Sequence, residues 1–187
     1  MGLASKRGKR LARFVKVAVL LAAALVVTAL YVAELGRVNG RSMDPALSDG
    51  DRIIFEKLTL RRTGLQRFDI VVFKAPYDPG QVYIKRVVGL PEELVRISQG
   101  RLEVNGADVP LANGVDWGKA DFGPVAVPPA YYFVIGDNLG ESVDSRVWGF
   151  VPRDYCLGRV WLRFWPVGGW RMFGRESASA KGIQDAH

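Results

Sequence analysis

The hydrophobic pattern divides the chain sharply. Val17 to Ala33 reads VAVLLAAALVVTALYVA, 17 residues with Thr28 as the only plainly polar one. A membrane-spanning helix needs roughly 17–25 such residues. The alternatives are a buried core helix or a signal peptide. A signal-peptide apolar region runs to about 7–15 residues and ends in small residues at the cleavage positions. Here the bulky Tyr31 stands two residues before Ala33, which favours an uncleaved anchor over residues 17–34. Beyond it no helical period of useful length appears. Short β-branched and aromatic runs take over: Arg52 to Phe55, Phe68 to Phe73, Val82 to Val88, Tyr131 to Ile135 and Leu157 to Trp165. Arg101 to Val109 predicts a hairpin, because Asn105-Gly106 suits the positive φ angles of a type I′ turn. Leu58 to Arg67 is a polar, basic connection, and Pro110 to Pro129 carries no period and predicts a loop. The fold expected is mostly β, a barrel-like or sandwich arrangement of several antiparallel strands, with one N-terminal transmembrane helix. The β-rich domain would cover 35–173, and 174–187 would be a disordered polar tail.

Charge changes the picture once it is located. The net +7 suggests nucleic acid, yet residues 1–16 hold six bases and no acid. The remaining 171 residues carry 20 bases and 19 acids. A nearly neutral domain behind a short basic arm argues against a nucleic-acid partner. The same arm, preceding the apolar span, places the N-terminus in the cytoplasm and the domain outside. Cys156 and His187 are the only cysteine and histidine. No internal disulfide, no metal site of the usual Cys or His kind and no Ser-His-Asp triad is expected, and no cofactor is implied.

Nucleophilic chemistry here would need another base. Ser42-Met43-Asp44-Pro45-Ala46-Leu47 sets a serine in a proline-containing turn, either an ordinary turn serine or a nucleophile. In the run Tyr83 to Gly89, Tyr83, Lys85 and Val87 share one strand face and Ile84, Arg86 and Val88 the other. An edge strand would let both cations reach solvent. A buried face would desolvate one of them, and only a lysine can then lose its proton and act as a base. Gly136-Asp137-Asn138 through Arg146 follows a hydrophobic strand. It reads as a solvated loop, or as a support in which Asp144 pairs with Arg146 and Ser142 accepts from an ammonium.

Together these stretches resemble the type I signal peptidases, membrane-bound Ser/Lys proteases that remove signal peptides. The family pattern Ser-Met-x-Pro-Thr-Leu is matched by Ser42 to Leu47 with Ala46 for threonine, and Gly50-Asp51 follows. Lys-Arg-Val-x-Gly-x-Pro-Gly-Asp is matched by Lys85 to Pro91, then departs at Glu92-Glu93. Gly-Asp-Asn and Ser-x-Asp-Ser-Arg are matched by Gly136 to Asn138 and Ser142 to Arg146, with Gly149 beyond and Leu139 to Glu141 departing from the commonest loop. The resemblance covers roughly 17–165. It implies Ser42 as nucleophile, Lys85 as general base and Ser142 as the group orienting the lysine. Asp137, Asp144 and Arg146 would support the loop, and the Ser42 N–H would donate to the oxyanion. Many relatives carry a serine two residues before the nucleophile as a second donor, where this chain has Gly40.

The resemblance also implies partners: signal peptides of exported precursors, with small residues at the first and third positions before the cut, and the lipid bilayer. Shallow apolar pockets would be lined by Val38, Met43, Leu47, Tyr83 and Ile84, although each also reads as plain core. Ser42 lies eight residues beyond Glu34. At about 3.3 Å per extended residue it is within roughly 26 Å of the anchor's end. Trp161, Phe164, Trp165 and Trp170, with Arg163 and Arg171, suit either an interfacial contact or a core strand. Two rivals stand beside this reading. Self-cleaving repressor-type proteins share a Ser/Lys arrangement but work inside the cell, and an anchored, non-catalytic β-domain could bind envelope partners.

Overall fold

A computed structural model describes residues 14–23, 32–112 and 114–174. The chain forms two units, Met1–Glu34 and Leu35–His187. In the first, residues 14–23 are helical. The middle of the expected anchor, 24–31, lies outside the described residues, as do most of the basic arm and all of the tail beyond Gly174. Among the described residues no helix is long and apolar enough to cross a membrane. Strand begins at Ala33, so the last two residues assigned to the anchor are extended rather than helical.

The rest is built on antiparallel strands: β1 (Ala33–Arg37), β2 (Arg52–Glu56), β3 (Ile70–Ala75), β4 (Asp78–Gly89), β5 (Leu94–Ser98), β6 (Arg101–Val104), β7 (Ala107–Val109), β8 (Phe122–Ala126), β9 (Tyr131–Ile135), β10 (Val151–Pro152), β11 (Cys156–Trp165) and β12 (Arg171–Met172). The larger sheet runs β1-β2-β11-β3-β4-β9-β10, with β12 paired to β11. The smaller runs β7-β6-β5-β8. Two short helices, Leu58–Arg62 and Ser145–Trp148, sit in connections.

Side-chain alternation explains the layering. Along β3, Ile70 and Val72 join one core cluster, with Val38, Met43, Ala46, Leu47, Ile53, Phe55 and Val160. Val71 and Phe73 join another, with Leu65, Val87, Tyr132, Val134 and Val151. A strand buried on both faces reads as an unbroken apolar run, as Ile70 to Phe73 does. A third cluster binds the two sheets, combining Val88, Phe133 and Ile135 with Val95, Ile97, Leu102 and Val104. The hairpin forms as expected, with Asn105 and Gly106 at φ 53° and 82°.

Three local expectations need correction. The stretch 110–129 is not all loop, since β8 occupies Phe122–Ala126. Gly123-Pro124 hides it, and Pro124 is tolerated because β8 is the outer strand of its sheet. β5 escaped the hydrophobic reading because only Val95 and Ile97 point inward, with Arg96 between them. The polar connection after Leu58 opens with a single helical turn.

Candidate active site

The turn carrying Ser42 is held at both its ends and its base. Val38 N–H donates to Asp51 O at 2.8 Å and Gly50 N–H to Val38 O at 2.9 Å, closing the loop. The Asp51 carboxylate accepts from Ser48 N–H at 2.9 Å and from Arg163 at 3.2 Å. Leu47 N–H returns to Met43 O at 2.9 Å. Met43, Ala46 and Leu47 are buried in the core beneath, leaving Ser42 half-buried above them. Gly40 adopts φ +89°, a conformation that favours glycine, and its N–H donates to Asp49 Oδ1 at 2.7 Å.

Lys85 reaches this turn from β4. Its Nζ lies 2.7 Å from Ser42 Oγ. β4 is an interior strand, paired with β3 along most of its length and with β9 at Arg86 to Gly89. At Lys85 the second edge is unpaired, yet neither cation reaches solvent, since Lys85 and Arg86 are each 4% exposed. Their environments differ. Arg86 makes two 2.7 Å bonds to the Asp137 carboxylate and donates to Phe68 O at 2.8 Å, so its charge is fully met. Lys85 has no such direct carboxylate partner among the described residues. Burial pushes its pKa from 10.5 down to about 8, opposed by the negative charges of Asp144 and Asp137 and aided by Arg146. Its ammonium also lies 5.8 Å from the Tyr83 ring centroid.

The 136–146 loop is organised on Asp144. That carboxylate, wholly buried, accepts from Gly136 N–H at 3.0 Å, Ser142 Oγ at 2.7 Å and Arg146 Nε at 2.8 Å. Arg146 Nη2 adds bonds to Leu139 O and Ser142 O, each at 3.2 Å, so the pair pins the loop's own backbone. The expected Asp144–Arg146 and Asp137 supports are thus in contact with the loop, Asp137 through Arg86. Ser142 differs from expectation: its hydroxyl donates to Asp144, and no bond to Lys85 occurs among the described residues. The Asp144 carboxylate, two residues on in the chain, takes the hydroxyl proton at 2.7 Å.

Several residues gain a place here that the sequence pattern did not assign them. A Cβ on Gly136 would lie 2.3 Å from Ser142 Oγ and 2.5 Å from Ser42 O, so the absence of a side chain lets the loop and the serine turn meet. Asn138 N–H donates to Ser42 O at 3.1 Å, and its Nδ2 to Arg41 O at 3.3 Å. Glu93 accepts from Leu90 N–H at 2.7 Å and pairs with Arg67, so the departure from the lysine motif still closes that turn. The Gly-Asp-Asn pattern was the available signal for Gly136 and Asn138, but spacing does not reveal which backbone they approach.

Of the expected pocket residues, Val38, Met43 and Leu47 are interior at 3%, 1% and 0% exposure, whereas Tyr83 and Ile84 are half-buried. Ile84 packs on the cluster containing the other three. Trp161, Trp165 and Trp170 are exposed, so they are not core. Phe164 is half-buried, and Arg163 is occupied by Asp51 and Gly169 O.

The family described as "Signal peptidase, peptidase S26" matches residues 11–165, which include Ser42, Lys85 and the whole 136–146 loop. The chain belongs to the signal peptidase family. It is 43% identical to a probable signal peptidase I-2 of Synechocystis over 73% of this chain and 65% of that protein. It is 38% identical to a signal peptidase I of Bacillus caldolyticus, over 86% and 92% respectively. A solved signal peptidase I from Enterococcus faecalis is 32% identical, with TM-score 0.44, covering 51% of this chain and 95% of that one.

Proposed function

We propose that this protein is a serine endopeptidase that removes signal peptides from exported precursors. Ser42 is its nucleophile and neutral Lys85 its general base. The observation carrying this reading is the 2.7 Å approach of a buried lysine amine to Ser42 Oγ. Ser42 Oγ attacks the scissile carbonyl carbon while its proton passes to Lys85 Nζ. The carbonyl electron pair moves to oxygen. Collapse of that intermediate breaks the C–N bond, and Lys85 returns the proton to the leaving amine. Water then attacks the acyl carbon, giving a proton to Lys85, which passes it to Ser42 Oγ as the acyl–oxygen bond breaks. The Ser42 N–H has no acceptor among the described residues and is available to the oxyanion. Asp144, Arg146 and Asp137 hold the loop beside the lysine, and Ser142 acts on Lys85 through Asp144.

Substrate binding follows from β4. Beyond Arg86 its second edge carries β9, but at Tyr83 to Lys85 that edge is unpaired, so an extended segment can add there as a strand. Tyr83 and Ile84 flank it. Val38, Met43 and Leu47 pack in the cluster behind Ile84, and the segment accepted there carries small residues at the first and third positions before the cut. Residues 17–34 anchor the enzyme in the membrane, with the N-terminus cytoplasmic and the peptidase domain outside.

The test is cleavage of an Ala-x-Ala precursor by the purified chain. Ser42→Ala and Lys85→Ala should each abolish processing, and normal processing by either would sink the dyad. The non-catalytic alternative requires Ser42 and Lys85 to be distant or exposed, which is hard to reconcile with their contact.

A further inference from the structure

The oxyanion donor in the proposed Ser/Lys mechanism is the N–H of a single peptide, Arg41–Ser42, and a role for any residue that aims it rests on that mechanism. A trans peptide is planar, so its C=O and N–H point in opposite directions and move as one body. Whatever holds Arg41 O therefore aims the Ser42 N–H. Two donors hold it, the Asp44 N–H at 3.2 Å from within the turn and Asn138 Nδ2 at 3.3 Å from outside it. The Asn138 backbone N–H meanwhile donates to the next carbonyl, Ser42 O, at 3.1 Å. One residue thus grips the carbonyls on both sides of the nucleophile's Cα.

The base from which Asn138 acts is rigid. Asp137 before it is bonded twice to the buried Arg86. Gly136 lies against Ser42 O. The Asp44 N–H belongs to the serine turn itself and moves with it, so Asn138 is the donor that ties the Arg41–Ser42 peptide to the 136–146 loop, and position 40 adds none. Gly40 has no side chain, and its N–H is already given to Asp49. We propose that Asn138 is a positioning residue for the oxyanion donor, fixing the Arg41–Ser42 peptide so that the Ser42 N–H faces the developing negative charge. In a chain lacking a hydroxyl at position 40, this clamp takes on more of the burden of transition-state stabilisation.

Asn138→Ala tests it in the whole 187-residue chain in detergent micelles. Residue 138 is extended at φ −102°, ψ 93°, so alanine adopts its backbone and keeps the bond to Ser42 O. With an Ala-x-Ala precursor peptide, kcat should fall about tenfold, or about 1.4 kcal/mol, while KM stays within about twofold. The acid limb of the pH–rate profile should not move. A peptide aldehyde of the same sequence reads the donor directly. Ser42 Oγ bonds to the aldehyde carbon, its proton passes to Lys85, and the carbonyl electron pair becomes the oxyanion. Its affinity should weaken in proportion to kcat, while an unreactive peptide alcohol of that sequence binds as before.

Unchanged kcat would overturn the inference. So would a loss of kcat with full aldehyde affinity, or a displaced pH limb, which would mean that Asn138 acts through Lys85. If Ser42→Ala still cleaves, the dyad itself fails. Full activity in Asn138→Ala beside an inactive Ser42→Ala refutes the clamp alone.

Discussion

Replacing Lys85 by methionine should make the protein more stable while destroying its activity. The folded-state pKa of about 8, against an ordinary 10.5, measures how strongly burial disfavours the ammonium. A gap of that size corresponds to about 3 kcal/mol. Between pH 8 and 10.5 the unfolded chain retains a proton that the folded chain has lost. Stability therefore rises with pH through this window, and below it the full cost is present. Methionine keeps the stem length and removes the charge, but gives up the Ser42 contact, worth about 1 kcal/mol. The net gain expected at pH 7 is about 2 kcal/mol. Urea unfolding of the full chain in detergent, followed by tryptophan fluorescence, measures it for parent and Lys85→Met. The difference between them should shrink as pH approaches 10.5. A variant no more stable than the parent at pH 7, or a difference independent of pH, would refute the desolvation argument. The same lowered pKa sets the activity profile: kcat/KM should rise with pH to a plateau, with an inflection near 8.

Two further substitutions probe the loops. Gly136→Ala places a carbon 2.3 Å from Ser142 Oγ and 2.5 Å from Ser42 O. Relieving it requires a displacement of about 1 Å at the site, which should lower kcat by about 100-fold and the stability by about 1–3 kcal/mol. Steady-state kinetics and thermal melting check both, and a fully active variant would show that the contact yields freely. Glu92 is exposed at φ 67°, where the related motif has glycine. Glu92→Gly should relieve backbone strain and, after the added freedom of the unfolded chain, stabilise by up to about 1 kcal/mol. An unchanged or lower melting temperature counts against it.

Much of the site was legible because it depends on residue type. With one histidine, at the C-terminus, and one cysteine, the only base available to Ser42 was a lysine, and only a strand with apolar neighbours could desolvate it. The strands Arg52–Glu56, Tyr131–Ile135 and Cys156–Trp165 were close to their expected ends because β-branched and aromatic runs are local signals. β8 was not, since Gly123-Pro124 erases the pattern and only the neighbouring β5 stabilises it as a strand. The pocket residues fared unevenly for a related reason. An apolar side chain near a nucleophile in sequence can face the substrate or the core, and three of the five face the core.

By itself, then, the sequence determined the chemistry available, the order of the motifs and the β character of the domain, because these follow from composition and short-range pattern. Only the tertiary structure decided that the lysine would be the cation left without a carboxylate. Lys85 and Arg86 are adjacent, equally buried and flanked by similar residues, and either could have met a carboxylate. Asp137 went to Arg86, whose planar guanidinium takes both oxygens at once. Asp144 went to Arg146, Ser142 and the Gly136 N–H. The lysine was left with a serine hydroxyl and a desolvated amine. That division of partners depends on contacts up to 51 residues apart, and no local pattern encodes it.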